Sequence, residues 1–124
     1  MKAEVTLRVE EAEKLINEAE KALKSSSYDT CCVSSCYAIF HAVRALIISM
    51  EMNPKNLEDA VHLLCLHKEE IGLTKDDCSK IYRALDIKSE IDSGYLRRVT
   101  EDVARRTLDD AKEILRKAKE YLRI

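Results

Sequence analysis

Turn residues are scarce in this chain, with two glycines and one proline in 124 residues. An all-β domain needs more turn residues than that, so the composition favours helices joined by short connections. Net charge is nearly absent as well, at −2. That total does not point to nucleic acid or to an anionic membrane, although it is compatible with a local basic patch. Apolar runs are short and broken by Ser, His and Arg, whereas a bilayer span needs about 20 mostly apolar residues. No membrane association is expected. The five cysteines are an odd number without framework spacing, and the opening MKAEVTLRVEEAEKL is charged throughout rather than an export signal. The expectation is therefore reduced thiols in a cytoplasmic protein. There is no Cys-x-x-Cys. Cys32 and Cys36 share one helix face, and His62 and Cys65 share another, but the two sets lie in different helices without paired spacing. No metal and no cofactor is expected.

What is present is a core element from Tyr28 to Met50, YDTCCVSSCYAIFHAVRALIISM. Between Cys31 and Met50 its only formally charged side chain is Arg44. A helix that is apolar nearly all round must be wrapped by others. Ser34, Ala38, Ala42, Ala45 and Ser49 recur at helical spacing and form a ridge of small side chains that lets a neighbour come close. Tyr37, His41 and Arg44 form a second line, of hydrogen-bonding groups. They must reach the helix surface or find buried partners.

The flanking segments read as amphipathic helices. Val5, Val9, Ala12, Ile16, Ala19 and Leu23 give a stripe over Lys2 to Lys24. Ala104, Leu108, Ala111, Leu115, Ala118 and Leu122 repeat the same spacing after Thr100, which is placed to cap the last helix. The matched stripes predict that the terminal helices pack side by side. Ser25-Ser26-Ser27 offers N-cap oxygens to the central helix, which should end before Asn53-Pro54. A third helix is predicted from about Leu57 to Glu70, with Gly72 as its stop. Thr74 opens a fourth, with Asp77 in a capping-box place and Cys78, Ile81, Tyr82 and Leu85 as its stripe. Periodicity fades over Lys88 to Tyr95, and Asp92-Ser93-Gly94 reads as a loop. The predicted fold class is all-α: an up-and-down four-helix bundle with an additional short helix, forming a single domain over residues 1–124.

YAIFHAVRALI, then NPK and a short helix, then ID-SGY before an Ala-rich last helix, resemble the HEPN domain over nearly the whole chain. The match is to small stand-alone prokaryotic members, many of them encoded beside a minimal nucleotidyltransferase in toxin–antitoxin pairs. The resemblance implies a dimeric helical bundle. In active members it implies metal-independent RNA cleavage by an Arg, four to six residues, then a His, often with a Tyr two residues later, two copies meeting across the dimer cleft. Here Lys88 falls at the arginine place, Ser93 at the histidine place, and Tyr95 is retained. RNA cleavage at a 2′-hydroxyl needs a group that titrates near neutrality, which His supplies and Ser does not. Lys can hold a phosphate as a point charge but lacks the bidentate fork of Arg.

The functional expectation follows from both lines. The chain is read as a HEPN protein with a degenerate ribonuclease motif, in which Tyr37, His41, Arg44, Asp92 and Tyr95 line a cleft. Its partners would be a second copy, a minimal nucleotidyltransferase, and RNA or a nucleotide. The alternatives are a weak ribonuclease using Lys88 with His41 or Tyr95, and a plain helical interaction module.

Overall fold

In the computed structural model, which describes residues 2–124, every regular element is a helix. They are α1 (Lys2–Lys24), α2 (Tyr28–Ser49), α3 (Leu57–Leu66), α4 (Lys68–Ile71), α5 (Lys75–Ser93) and α6 (Glu101–Leu122). The four long helices form an up-and-down bundle, with α3 and α4 as short additions.

The bundle is assembled on α2. Between Cys31 and Ile48 every residue is buried except Val33, Tyr37, His41, Arg44 and Ile48, which are half-buried. Those five recur at steps of four, four, three and four. The helix is therefore sealed on all but one narrow line. Its most extensive neighbour is α1, followed by α6. The small ridge is buried at Ser34, Ala38, Ala42 and Ala45 and half-buried at Ser49, and Ala12 and Ala19 of α1 are fully buried as well. Small side chains on both helices permit close backbone approach. Cys31 and Cys32 bring sulfur within 3.7 Å of the Ala104 carbonyl and the Thr107 hydroxyl of α6. By length and composition alone α2 could cross a membrane, which corrects the expectation that it is too short and too interrupted. Its apolar surface, however, is spent on the bundle, with 72% of the window buried.

Both terminal stripes are buried as the periodicity predicts, apart from the half-buried Leu23 and Leu122. The two helices also meet directly, through Lys119 to Glu13 at 2.9 Å and Lys112 to Glu20 at 3.0 Å.

Five local expectations are corrected. The serine run does not cap α2 with a side chain. Ser27 occupies the N-cap position without a side-chain bond, and the Ser25 hydroxyl donates back to the Lys21 and Ala22 carbonyls. The third helix is two helices separated at His67, whose N–H closes on the Leu64 carbonyl. The fourth stripe rotates: Tyr82 is exposed, and Asp77, Ala84 and Ile87 are buried beside Cys78 and Ile81. That helix also continues through Asp92 and Ser93 to Gly94, whose φ of 80° is the left-handed ending that glycine adopts without a Cβ penalty. Finally, Cys65 and Cys78 are joined as a disulfide between α3 and α5, so they are not free thiols; Cys31, Cys32 and Cys36 are free and buried.

Two ion pairs fix α5 against α6. Asp77 is 2% exposed and works twice. Its carboxylate accepts from the Thr74 N–H at 2.8 Å to complete a capping box, and it takes the Lys117 ammonium from α6. Burial alone would raise its pKa, but Lys117 and Thr74 together hold it below the usual carboxylate value. Further along, Arg83 donates to the buried Asp110 at 3.0 Å. Removing one partner of such a pair strands the other. Asp77→Ala is expected to lower unfolding free energy by about 3–5 kcal/mol, read from urea denaturation; a loss within about 0.5 kcal/mol, typical of surface positions, would contradict this role.

Candidate anion-binding recess

The open line of α2 meets three other helices. Tyr37, Phe40, His41 and Arg44 of α2, Arg8 of α1, Leu57 of α3 and Lys88 of α5 line a recess of about 300 Å³. Each polar member has a structural reason to be there. Tyr37, His41 and Arg44 occupy the one face of α2 that no helix seals. Lys88 arrives because α5 stays helical through Ser93, and because the Asp77 and Asp110 pairs set how α5 lies on α6. Tyr37 is braced edge-on against Phe40, with ring centres 5.9 Å apart at 87°.

The electrostatics are one-sided. Arg8 places a guanidinium nitrogen 3.2 Å from His41 Nδ1. A guanidinium has no acceptor, so Nδ1 must accept and the ring proton sits on Nε2. His41 is thereby held as a neutral imidazole that donates through Nε2. Burial first, and the Arg8 charge second, push its pKa below the ordinary 6.5, against a smaller opposing pull from Glu11. Lys88 is paired with Asp92 at 2.6 Å, and chiefly through that bond its pKa is raised above the usual lysine value, so it is cationic. Among the described residues, the arginines that pair with carboxylates are Arg83, Arg97, Arg105 and Arg116, and neither Arg8 nor Arg44 does. The recess thus gathers three cations, and no carboxylate stands among its described lining residues.

The chain belongs to the HEPN domain family. The family model, described as the HEPN domain, matches residues 5–121. A curated relative, a UPF0332 protein of Archaeoglobus fulgidus, is 38% identical over 116 residues, covering 94% of this chain and 93% of its own. On this HEPN bundle the residues singled out by sequence separate into two groups. Tyr37, His41, Arg44 and Lys88 share the recess. Asp92 stands beside it, in a neighbouring groove with Asn56, Glu58 and Lys88, and reaches the recess only through the Lys88 ammonium. Ser93 and Tyr95 lie elsewhere. The Ser93 hydroxyl donates to the Glu90 carbonyl at 2.9 Å, and Tyr95 is 84% exposed beyond Gly94. Glu90 in turn anchors this turn by accepting from the backbone and guanidinium of Arg97.

Arg8 is the functional candidate that sequence reading missed. A signal existed: it follows Val5 by three residues and precedes Ala12 by four, so it borders the apolar stripe instead of facing open solvent. A larger surface groove between α1 and α6, about 620 Å³, includes Glu13, Lys112, Arg116, Lys119 and Glu120 among its lining residues. Those charges are already paired, Lys119 with Glu13, Lys112 with Glu20, and Arg116 with Glu113 and Glu120. It therefore offers less free hydrogen-bonding capacity than the recess.

The His41 assignment has a consequence in pH. An unfolded imidazole titrates near 6.5. With a lower folded value, the unfolded chain holds more protons in the interval between the two, so stability rises with pH there and is lost as pH falls below about 6.5. An NMR titration of the His41 ring protons is expected to give a midpoint below 6.5, moving upward in Arg8→Gln. A wild-type midpoint at or above 6.5, or one unmoved in Arg8→Gln, would contradict the effect of burial and of the Arg8 charge on His41.

Proposed function

We propose that this HEPN protein is a non-catalytic RNA- or nucleotide-binding component of a two-protein system of the toxin–antitoxin kind. Its counterpart would be a minimal nucleotidyltransferase. It would act in the cytoplasm as a homodimer of one domain spanning residues 1–124. The observation that carries the binding half is the recess itself, where Arg8, Arg44 and Lys88 converge with the donors of Tyr37 and His41. Phosphate groups are the anions such a set of donors suits.

Two features support the absence of catalysis. Ser93 stands where a histidine would be needed and its hydroxyl is tied to a backbone carbonyl. Lys88 is a point charge already shared with Asp92, so it cannot supply a guanidinium fork. The partnership rests on family membership. A second reading, as a metal-independent ribonuclease, draws on one observation: His41 lies in the same recess as Lys88. In the geometry described, however, His41 donates through Nε2 and its Nδ1 lone pair is engaged by Arg8, so it is not poised as a base.

The test is binding of short single-stranded RNA in EDTA at low salt, followed by fluorescence anisotropy. Binding without cleavage is expected, weakened about tenfold or more by Arg44→Ala, since a charge-assisted hydrogen bond contributes about 1.5–3 kcal/mol. No binding of RNA or nucleotide by the wild type would leave the plain interaction module. Cleavage that His41→Ala abolishes would install the ribonuclease. Co-expression with a minimal nucleotidyltransferase encoded next to this chain's gene is expected to yield a complex, and its absence would remove the partnership.

A further inference from the structure

The recess is a more selective object than a basic patch. Its polar lining consists of Arg8, Arg44, Lys88, the Nε2–H of His41 and the hydroxyl of Tyr37. At neutral pH the first four can only donate, and the tyrosine can donate. Leu57 supplies an apolar wall. At about 300 Å³ the space is at the lower end for a bound small molecule. It suits a single nucleotide unit better than a run of stacked bases.

We propose that this recess recognises a phosphomonoester, the terminal phosphate of an RNA strand or of a free nucleoside monophosphate, in preference to the internal phosphodiesters of a strand. The proposal rests on the binding reading above and sharpens it. The argument is one of matching. An internal phosphodiester has one negative charge and two non-bridging oxygens. A monoester has three terminal oxygens and a charge close to −2 at neutral pH. A recess that concentrates cations and donors, with no acceptor-only group among its lining residues, leaves donors idle on a diester and engages them on a monoester. A donor left idle forfeits the charge-assisted bond it makes to a further phosphate oxygen. The carboxylates nearest the recess are Asp92, already occupied by Lys88, and Glu11 and Glu58, both solvent-exposed and so screened. The Arg8 side chain has a further duty. By bonding Nδ1 it presents the His41 Nε2–H to the ligand, so Arg8 is a positioning residue as well as a direct cation.

The test uses the full chain and four competitors against one labelled RNA: an oligonucleotide with a 5′-phosphate, the same strand with a 3′-phosphate, the same strand with hydroxyls at both ends, and a nucleoside 5′-monophosphate. Wild type is expected to prefer a phosphate-ended strand over the hydroxyl-ended one by about tenfold or more. That preference should shrink below about pH 6, where the monoester takes up its second proton, and should disappear in Lys88→Gln, a surface change that leaves the core intact. Equal affinity for phosphate-ended and hydroxyl-ended strands overturns this inference while leaving RNA binding in place. If the labelled RNA does not bind but nucleoside monophosphate still shifts the His41 NMR signal, the ligand is a mononucleotide and the RNA form of the binding reading fails while the monoester site stands.

An NMR readout separates the site from mere charge attraction. His41 is faced by Arg8 and Glu11 from α1, by Tyr37 and Arg44 from its own helix, and by Lys88 from α5. A dianion seated among them favours the imidazolium, so the His41 midpoint should move upward when nucleoside monophosphate is added. An unmoved His41 signal at saturating monophosphate overturns the proposal.

Discussion

The interaction on which the rest of this molecule depends is the enclosure of α2. Its small ridge permits close approach of a neighbour, its thiols meet α6, and α1, α6, α3 and α5 all pack on it. Burial of that many side chains at about 1.5–3 kcal/mol each is the main force holding the bundle. Enclosure also decides where function can be. A helix sealed everywhere except along Val33, Tyr37, His41, Arg44 and Ile48 can present polar chemistry on that line alone.

Electrostatics then refine the site at three scales. The Asp77–Lys117 and Arg83–Asp110 pairs hold α5 on α6 and so determine where Lys88 emerges. The Lys88–Asp92 pair keeps that ammonium charged at the edge of the recess. The Arg8–His41 bond chooses one imidazole tautomer. Cations collected in a small space repel one another, and an arrangement of that kind becomes favourable when an anion arrives to relieve it. Most of the charges in the larger groove between α1 and α6 are already held in ion pairs, which is why size alone does not identify the site.

Much of the architecture was legible in the residues. Single-period stripes such as Val5 to Leu23 and Ala104 to Leu122 can be buried in only one way, and the Thr74–Asp77 capping box announces a helix start by local chemistry. What escaped depended on contacts distant in sequence. The Cys65–Cys78 bond joins residues whose spacing has no framework pattern, and it forms because α3 and α5 lie side by side. The rotation of the α5 stripe is set by Lys117 of α6, which makes a buried position out of Asp77, a residue that reads as solvent-facing. At the site, the line Tyr37, His41 and Arg44 could be read from helical spacing, and Lys88 from its place in the family motif. Arg8 was marked only by its place on the border of the α1 stripe, and its role was hidden because its partner His41 is 33 residues away. Asp92 and Ser93 read as part of a loop because a polar helix end lacks a periodic apolar signal.

The claim that organises all of this is that α2 is sealed by its neighbours on every side but one, and it can be measured directly by native-state hydrogen exchange. Amides from Cys36 to Leu46 are predicted to exchange only through global unfolding, with the highest opening free energies in the chain, while those of α3 and α4 open locally at lower cost. If the α2 amides exchanged as readily as those of α3, the helix would not be the enclosed core, and the placement of the recess on its single open line would fall with it.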